Sequence, residues 1–253
     1  MVNSTVDGVA RQFSRAAGSY DKLATIQHKI AAQAMALLPV NTGTLLDIGC
    51  GTGVNTARLA AQGYSTTGVD LATGMVSYAK SRYPHINFLQ GDAQVLPFAG
   101  NHFMYAFSSM ALQWCASPDT AMSELYRVLQ PGGLASITVM VDKSFAQLDA
   151  ARQTIGLASA TNTMASHEQW QQAISTGGLK TLTAQNTHYT DEFDDILSLL
   201  RSIKSVGAGT RLTSTHKQHL SRPMLSALGQ AYKRNNQNLL PLTYQVSHFL
   251  LEK

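Results

Sequence analysis

The chain has 253 residues, of which 44% are hydrophobic and 13% charged, with a net charge of +4 at pH 7. That length suits one large domain with a full core, no apolar run is long enough to span a bilayer, and the first residues are too polar for a secretory leader. The two cysteines, Cys50 and Cys115, form no C-x-x-C pair, which argues against a disulfide framework or a thiolate zinc site and for a cytoplasmic protein.

In chain order, Val9, Phe13, Ala16, Ala17 and Tyr20 share one helical face, and Ile26, Ile30, Ala34, Leu37 and Leu38 form a second stripe before Pro39. Short apolar runs and amphipathic stretches then alternate, the pattern of a parallel sheet flanked by helices. Strands are predicted at 44–48, 65–70, 86–90, 104–108 and 134–140, with helices at 55–62, 73–82 and 118–129, the last stopped by Pro131-Gly132-Gly133. Beyond Met140 the spacing predicts a helix over 166–175, a strand over 180–189, and two helical pieces over 191–238 broken near Gly207-Ala208-Gly209. A final strand is expected over 242–251.

This gives a single domain: amino-terminal helices over 1–40, a core over 41–140, a helical lid over 190–240 and a last strand over 241–253. Charge is distributed unevenly along it. Asp191, Glu192, Asp194 and Asp195 crowd together, and from Ile196 to Leu251 there are seven basic residues and no acid. Such asymmetry suits an anionic partner, although a solvated helix face fits the charge equally well.

The most informative stretch is Leu45-Leu46-Asp47-Ile48-Gly49-Cys50-Gly51-Thr52-Gly53, an apolar strand entering three alternate glycines before a helix. Bare backbone allows turns and close approach of a ligand, and ligands of open α/β sheets settle outside the carboxyl ends of the strands. A dinucleotide loop reads G-x-G-x-x-G, whereas the third glycine here, Gly53, comes one residue early. Asp47 is also a poor neighbour for a pyrophosphate, because like charges repel. S-adenosyl-L-methionine, with a sulfonium and an ammonium and no phosphate, suits the loop better. An ordinary strand-to-helix turn remains the competing explanation of the loop alone.

Two acids follow at later strand ends. Asp70 lies 21 residues after Gly49, the spacing at which an acid accepts from both ribose hydroxyls of an adenosine cofactor. A helix N-cap is the bland alternative. Gly91-Asp92-Ala93 ends the third strand, where a carboxylate can meet an adenine amino group.

With Asp70-Leu71, Met75 and Arg127-Val128-Leu129-Gln130-Pro131-Gly132-Gly133, these motifs resemble the class I S-adenosylmethionine-dependent methyltransferases over roughly 45–140. The resemblance implies an α/β, Rossmann-like fold with a seven-stranded, mostly parallel sheet and an antiparallel last strand. It implies cofactor contacts from Asp47, Gly49, Cys50, Gly51, Gly53, Asp70, Leu71, Met75, Asp92, Ala93 and Ser108. The product is then S-adenosylhomocysteine, and no metal is required. Three further segments resemble the malonyl-[acyl-carrier protein] O-methyltransferases that begin pimelate synthesis for biotin. These are 9–21, Met110-Ala111-Leu112-Gln113-Trp114-Cys115, and Leu200-Arg201-Ser202-Ile203-Lys204-Ser205-Val206-Gly207-Ala208.

That resemblance implies an acyl carrier protein bearing malonyl-phosphopantetheine, or malonyl-coenzyme A, as partner. A malonyl carboxylate is ionised at neutral pH because an unperturbed carboxyl titrates near ~4. No general base is therefore needed, only orientation and exclusion of water. Arg201 and Lys204, one turn apart, are expected to clamp a carboxylate or the phosphopantetheine phosphate. Tyr20 is expected to border the methyl group and hydrogen-bond a substrate oxygen, and Trp114 to shape the acyl channel. Both also suit plain core packing. His216 and His219 stand at i, i+3 but lack a nearby carboxylate, so a metal is not expected there.

The runner-up is a methyltransferase for another small carboxylate or phenol. A non-catalytic cofactor-binding protein is a further reading. An RNA-binding one is disfavoured because the basic residues lack interleaved aromatics. Neither nucleic acid nor membrane is expected as a partner, and a monomer is.

Overall fold

The computed structural model describes residues 4–18, 20–39, 42–159, 164–205 and 220–253. Three helices come first, α1 (Ser4–Ala16), α2 (Tyr20–Leu23) and α3 (Thr25–Met35). Then follow β1 (Gly43–Ile48), α4 (Val54–Ala61), β2 (Tyr64–Asp70), α5 (Thr73–Arg82), β3 (Asn87–Gln90) and β4 (Phe103–Ser109). A 3₁₀ turn (Leu112–Trp114) leads to α6 (Pro118–Val128), β5 (Leu129–Met140), α7 (Ala146–Thr154), α8 (His167–Thr176) and β6 (Lys180–Phe193). The chain closes with α9 (Ile196–Ser205), α10 (Arg222–Ala231) and β7 (Leu240–Glu252).

The seven strands form one sheet in the order β3-β2-β1-β4-β5-β7-β6. Neighbours from β3 to β5 are parallel, and β7 runs antiparallel to both β5 and β6. The order reverses between β1 and β4, so a crevice opens above their carboxyl ends. Both faces are covered. Trp170, Met122 and Leu125 of α8 and α6 pack with Ile137, Val139, Phe249 and Leu251 on one side. On the other, Ile26 and Ile30 of α3, Leu148 of α7 and Leu199 of α9 meet Tyr244 and Val246.

Local chemistry sets several boundaries. Ser117 caps α6 by accepting from Thr120 N, with Pro118 in the first turn. Ser166 and Gln169 form a capping box that starts α8 at His167.

Three expectations change. β5 begins at Leu129 rather than 134, because the Pro-Gly-Gly stop is absorbed into the strand as an irregularity between the pairs Phe103↔Leu129 and Tyr105↔Leu134. The carboxyl-terminal residue supports it there: Gly132 N donates to Lys253 O, and Lys253 N to Gly133 O. Helix α7 was not foreseen. It has no side-chain cap and starts after Phe145 at φ +62, so only burial of Leu148 and Ala151 explains it. Finally, β6 runs on to Phe193 by pairing with Leu240, which draws Asp191 and Glu192 out of the expected lid. The predicted break at Gly207-Ala208-Gly209 lies outside the described residues.

Candidate active site

The glycine loop is held beneath the crevice by backbone. Gly49 N and Cys50 N both donate to Val69 O on β2, at 2.7 and 3.0 Å. Gly49 stands at φ +74, and a Cβ there would lie 2.1 Å from the Ala111 Cβ, so the loop after β4 can pack on it only because it is glycine. Gly51, at φ +54, has nothing within 4 Å of its would-be Cβ and presents bare backbone to the cleft. Gly53 does not line the cleft; its Cα face is covered by the Phe88 ring.

Asp70, at the end of β2, accepts from Gly51 N at Oδ2 and from Ala72 N at Oδ1, both at 2.8 Å. Each carboxylate oxygen offers two lone-pair sites, so capacity for further donors remains on both. Burial raises the Asp70 carboxyl, and the two backbone donors pull it back. Asp92, beyond β3, accepts from Gln94 N at Oδ1 (2.9 Å) and also lines the cleft. Gln94 in turn accepts from Ser117 N, and Arg127, paired with Glu124, donates to Leu96 O and Phe98 O. The Arg127 motif thus braces the segment carrying Asp92.

Leu71, Met75 and Ala93 line the same cleft, which encloses about 820 Å³ of space open toward solvent. Bare Gly51 backbone, two acids at successive strand ends and apolar walls fit an adenosine with a cationic tail.

Four expected contacts are arranged differently. Asp47 is 1% exposed and sits behind the loop, accepting from Thr56 Oγ1 of α4 at 2.6 Å; burial pushes its carboxyl up to about 7. Cys50 turns into an apolar cluster with Val76, Ala79 and Phe88, where burial raises its thiol. Gly53 is covered as described above. The Ser108 hydroxyl is spent below the cleft, donating to Ile48 O at 2.8 Å, and its neighbour Ser109 lines the wall instead. These positions shape the loop and do not face its contents. Strand alternation explains the Ser108 case, since adjacent residues point to opposite faces.

The amino-terminal helices cover the opening. Asp21 Oδ1 accepts from Thr52 Oγ1 of the glycine loop at 2.6 Å, and Ser14 Oγ accepts from Gly74 N of α5 at 3.1 Å. Between these two pins, Phe13 packs against Tyr20 (6.4 Å between centroids) and edge-on against Trp114 (6.0 Å). All three rings line the cleft. Phe13, from the 9–21 segment, and Met110 and Ala111, from the segment that ends in Trp114-Cys115, complete the wall together with Gln94 and Ser109, which no motif singled out.

Arg201 and Lys204 are brought together on α9 but are exposed and do not line the cleft. His216 and His219 lie outside the described residues. Among the described residues no cluster of His, Cys, Asp or Glu is arranged to hold a metal, and no helix is long and apolar enough to cross a membrane.

Comparison with known proteins agrees with this geometry. Residues 46–137 match a family model described as a methyltransferase domain. A putative methyltransferase from Bacillus halodurans, 15% identical, superposes with a TM-score of 0.64 over 88% of this chain and 98% of its own, a likeness of fold. The malonyl-[acyl-carrier protein] O-methyltransferase of Pectobacterium atrosepticum is 32% identical over 96% of this chain and 95% of its own length. That of Erwinia pyrifoliae is 35% identical over 97% of this chain and 92% of its own. With nearly the whole length matched and the cofactor cleft intact, the chain belongs to the malonyl-[acyl-carrier protein] O-methyltransferase family.

Proposed function

We propose that this protein methylates the free carboxylate of a malonyl thioester, preferably malonyl-phosphopantetheine on an acyl carrier protein, to begin pimeloyl synthesis for biotin. One observation supports the reading beyond family likeness: among the described residues lining the cleft none is His or Lys, and its two carboxylates, Asp70 and Asp92, are the groups assigned to the cofactor. A phenol or amine acceptor needs a base to take its proton. A carboxylate acceptor, ionised at neutral pH, needs none.

S-adenosylmethionine, when bound, supplies an electrophilic methyl group on a sulfonium. Gly49 and Gly51 would hold its methionine portion by backbone, Asp70 its ribose hydroxyls, and Asp92 its adenine, with Leu71, Met75 and Ala93 around the ring. Asp47, Cys50, Gly53 and Ser108 act by shaping that loop. Tyr20, Phe13 and Trp114 close the cleft with aromatic surface, excluding water from a carboxylate that is a better nucleophile when poorly solvated. Tyr20 is the group assigned to the acceptor oxygen. Its hydroxyl stays protonated, since burial and the nearby Asp70 and Asp21 carboxylates raise it further.

Arg201 and Lys204, outside the cleft, suit the phosphopantetheine phosphate better than the malonyl carboxylate. The remaining basic residues after Ile196 suit an acidic carrier protein. Such a reaction runs in the cytoplasm on a monomer, without metal, membrane or nucleic acid. The test is transfer of labelled methyl to malonyl-carrier protein, malonyl-coenzyme A and free malonate. Tight cofactor binding with methylation of none of them would overturn the reading.

A further inference from the structure

The strand ends meet the cleft in the order of the sheet, β3, β2, β1, β4. Asp92 follows β3, Asp70 ends β2 and the turn carrying Gly49 and Gly51 follows β1. A cofactor laid across them from adenine to methionine therefore has the end of β4 beside its methionine portion. The cleft residue that ends β4 is Ser109. An anionic acceptor is repelled by Asp70 and Asp92 and belongs at this end. The described lining holds no cationic side chain, so neutral donors must orient it.

Ser109 and Thr138 are register partners on β4 and β5, and Thr138 Oγ1 donates to Ser109 Oγ at 3.3 Å. Thr138 is fully buried, so leaving its hydroxyl proton unpaired would be costly. That fixes the direction of the bond. A hydroxyl carries one proton and two lone pairs. Ser109 accepts on one lone pair and keeps its own proton, which no hydrogen bond among the described residues takes. Ser109 is half-buried at the cleft wall, with Thr138 sealed behind it. The backbone beyond is also held. Met110 has φ +56, a conformation uncommon outside glycine. Its N donates to Thr138 O at 2.9 Å, and its O accepts from Gln113 Nε2 at 2.8 Å. Backbone of this kind persists only where its surroundings over-determine it, and here both neighbouring peptide groups are fixed.

We propose that the Ser109 hydroxyl, its direction set by Thr138, donates to the acceptor carboxylate alongside Tyr20 and turns one carboxylate oxygen toward the transferred methyl group. The inference rests on the proposed function and deepens it. Ser109 touches the acceptor, and Thr138 is a positioning residue that acts through it. As the new carbon–oxygen bond forms, the carbon–sulfur bond breaks with its electron pair staying on sulfur, and Ser109 keeps its proton throughout. A neutral hydroxyl holds a carboxylate by a charge-assisted hydrogen bond without neutralising it, which leaves the nucleophile its charge. The methyl ester formed is a weaker acceptor of the same bond, so product is held less tightly than substrate.

Ser109→Ala removes the donor at little cost in volume. It is expected to lower kcat/KM for malonyl thioesters about 10- to 100-fold, the range for a hydrogen bond to a charged group. Binding of malonyl-coenzyme A to protein saturated with S-adenosylhomocysteine, read by calorimetry, should weaken about tenfold. S-adenosylmethionine affinity should stay within about twofold, a split that loss of packing would not produce. Thr138→Val keeps the shape and lets the Ser109 hydroxyl rotate, so about a 3- to 5-fold loss in kcat/KM is expected. The double variant should lose no more than Ser109→Ala alone, because Thr138 acts only through Ser109; a merely structural threonine would add its own loss. Wild-type kinetics and acceptor binding in Ser109→Ala, an equal fall in its cofactor affinity, or a further loss in the double variant overturns the inference. Failure of the wild-type protein itself on malonyl thioesters sinks the functional reading instead, so the two failures are distinguishable.

Discussion

On one side of the cleft, the ends of β1, β2 and β3 present backbone from Gly51 and the carboxylates of Asp70 and Asp92. On the other, the wall is made from residues far apart in the chain: Phe13 and Tyr20, Met110 and Trp114. The first side works through short-range geometry, a turn and two strand ends within some fifty residues. The second exists only because the amino-terminal segment folds back over the opening, pinned by Asp21 to Thr52 and by Ser14 to Gly74. A common cofactor can thus keep its half unchanged while the acceptor half varies, which is how one fold serves many substrates.

The sharpest way to break the cofactor half is Gly49→Val. Its side chain would strike Ala111 and need a φ of +74 that a β-branched residue resists. Cofactor binding by calorimetry should become undetectable, and retained affinity would show that the loop after β4 can move aside.

Next in size is a contrast in pH dependence. In the cofactor half, burial pushes the Asp47 carboxyl up to about 7, against ~4 when unfolded. Between those values the folded state holds the extra proton, so this group's contribution to stability falls as pH rises. Away from the cleft, on β7, burial pushes His248 down to about 4, against ~6.5 unfolded. There the unfolded state holds the extra proton, and stability rises with pH over that window. Urea unfolding across that range should show Asp47→Asn gaining on the wild type as pH rises and His248→Gln gaining as it falls. Each drift is on the order of 3 kcal/mol. Parallel curves for wild type and variant would mean the group does not titrate as described.

Asp70→Asn comes third. It removes the charged acceptor proposed for the ribose and unhooks either Gly51 N or Ala72 N, so the cofactor Kd should rise about 100-fold. The maximal rate at saturating cofactor should change much less.

The smallest effect sharpens the acceptor half from outside. Arg201→Ala with Lys204→Ala should raise KM about 3- to 10-fold for malonyl-carrier protein and malonyl-coenzyme A, more at low salt. A malonyl thioester lacking any phosphate should be unaffected. An equal rise for that truncated substrate would return these cations to the carboxylate.

Much of this molecule could be read along the chain. Strands 1 to 4 fall within a residue or two of their predicted bounds, and α5 spans the predicted 73–82. Their periodicity, caps and turn residues agree locally with the fold. The misreadings share a cause: α7, the early start of β5 and the late end of β6 depend on partners in other elements, such as Phe103 for Leu129 and Leu240 for Phe193. At the end of β4 the cleft wall takes Ser109 and not the expected Ser108, because one step along a strand reverses the face.

By itself, the amino-acid sequence determined the cofactor: Gly49, Gly51, Asp70 and Asp92 occur at spacings set by strand and turn lengths, and those lengths are local properties. Only the tertiary structure decided which of the motif's residues face the cleft and which hold it up from behind, as Asp47 does through Thr56. It alone brought Tyr20, Phe13 and Trp114 onto one wall. Those contacts join the amino-terminal segment to the loop after β4, and no spacing along a sequence encodes a meeting made by packing.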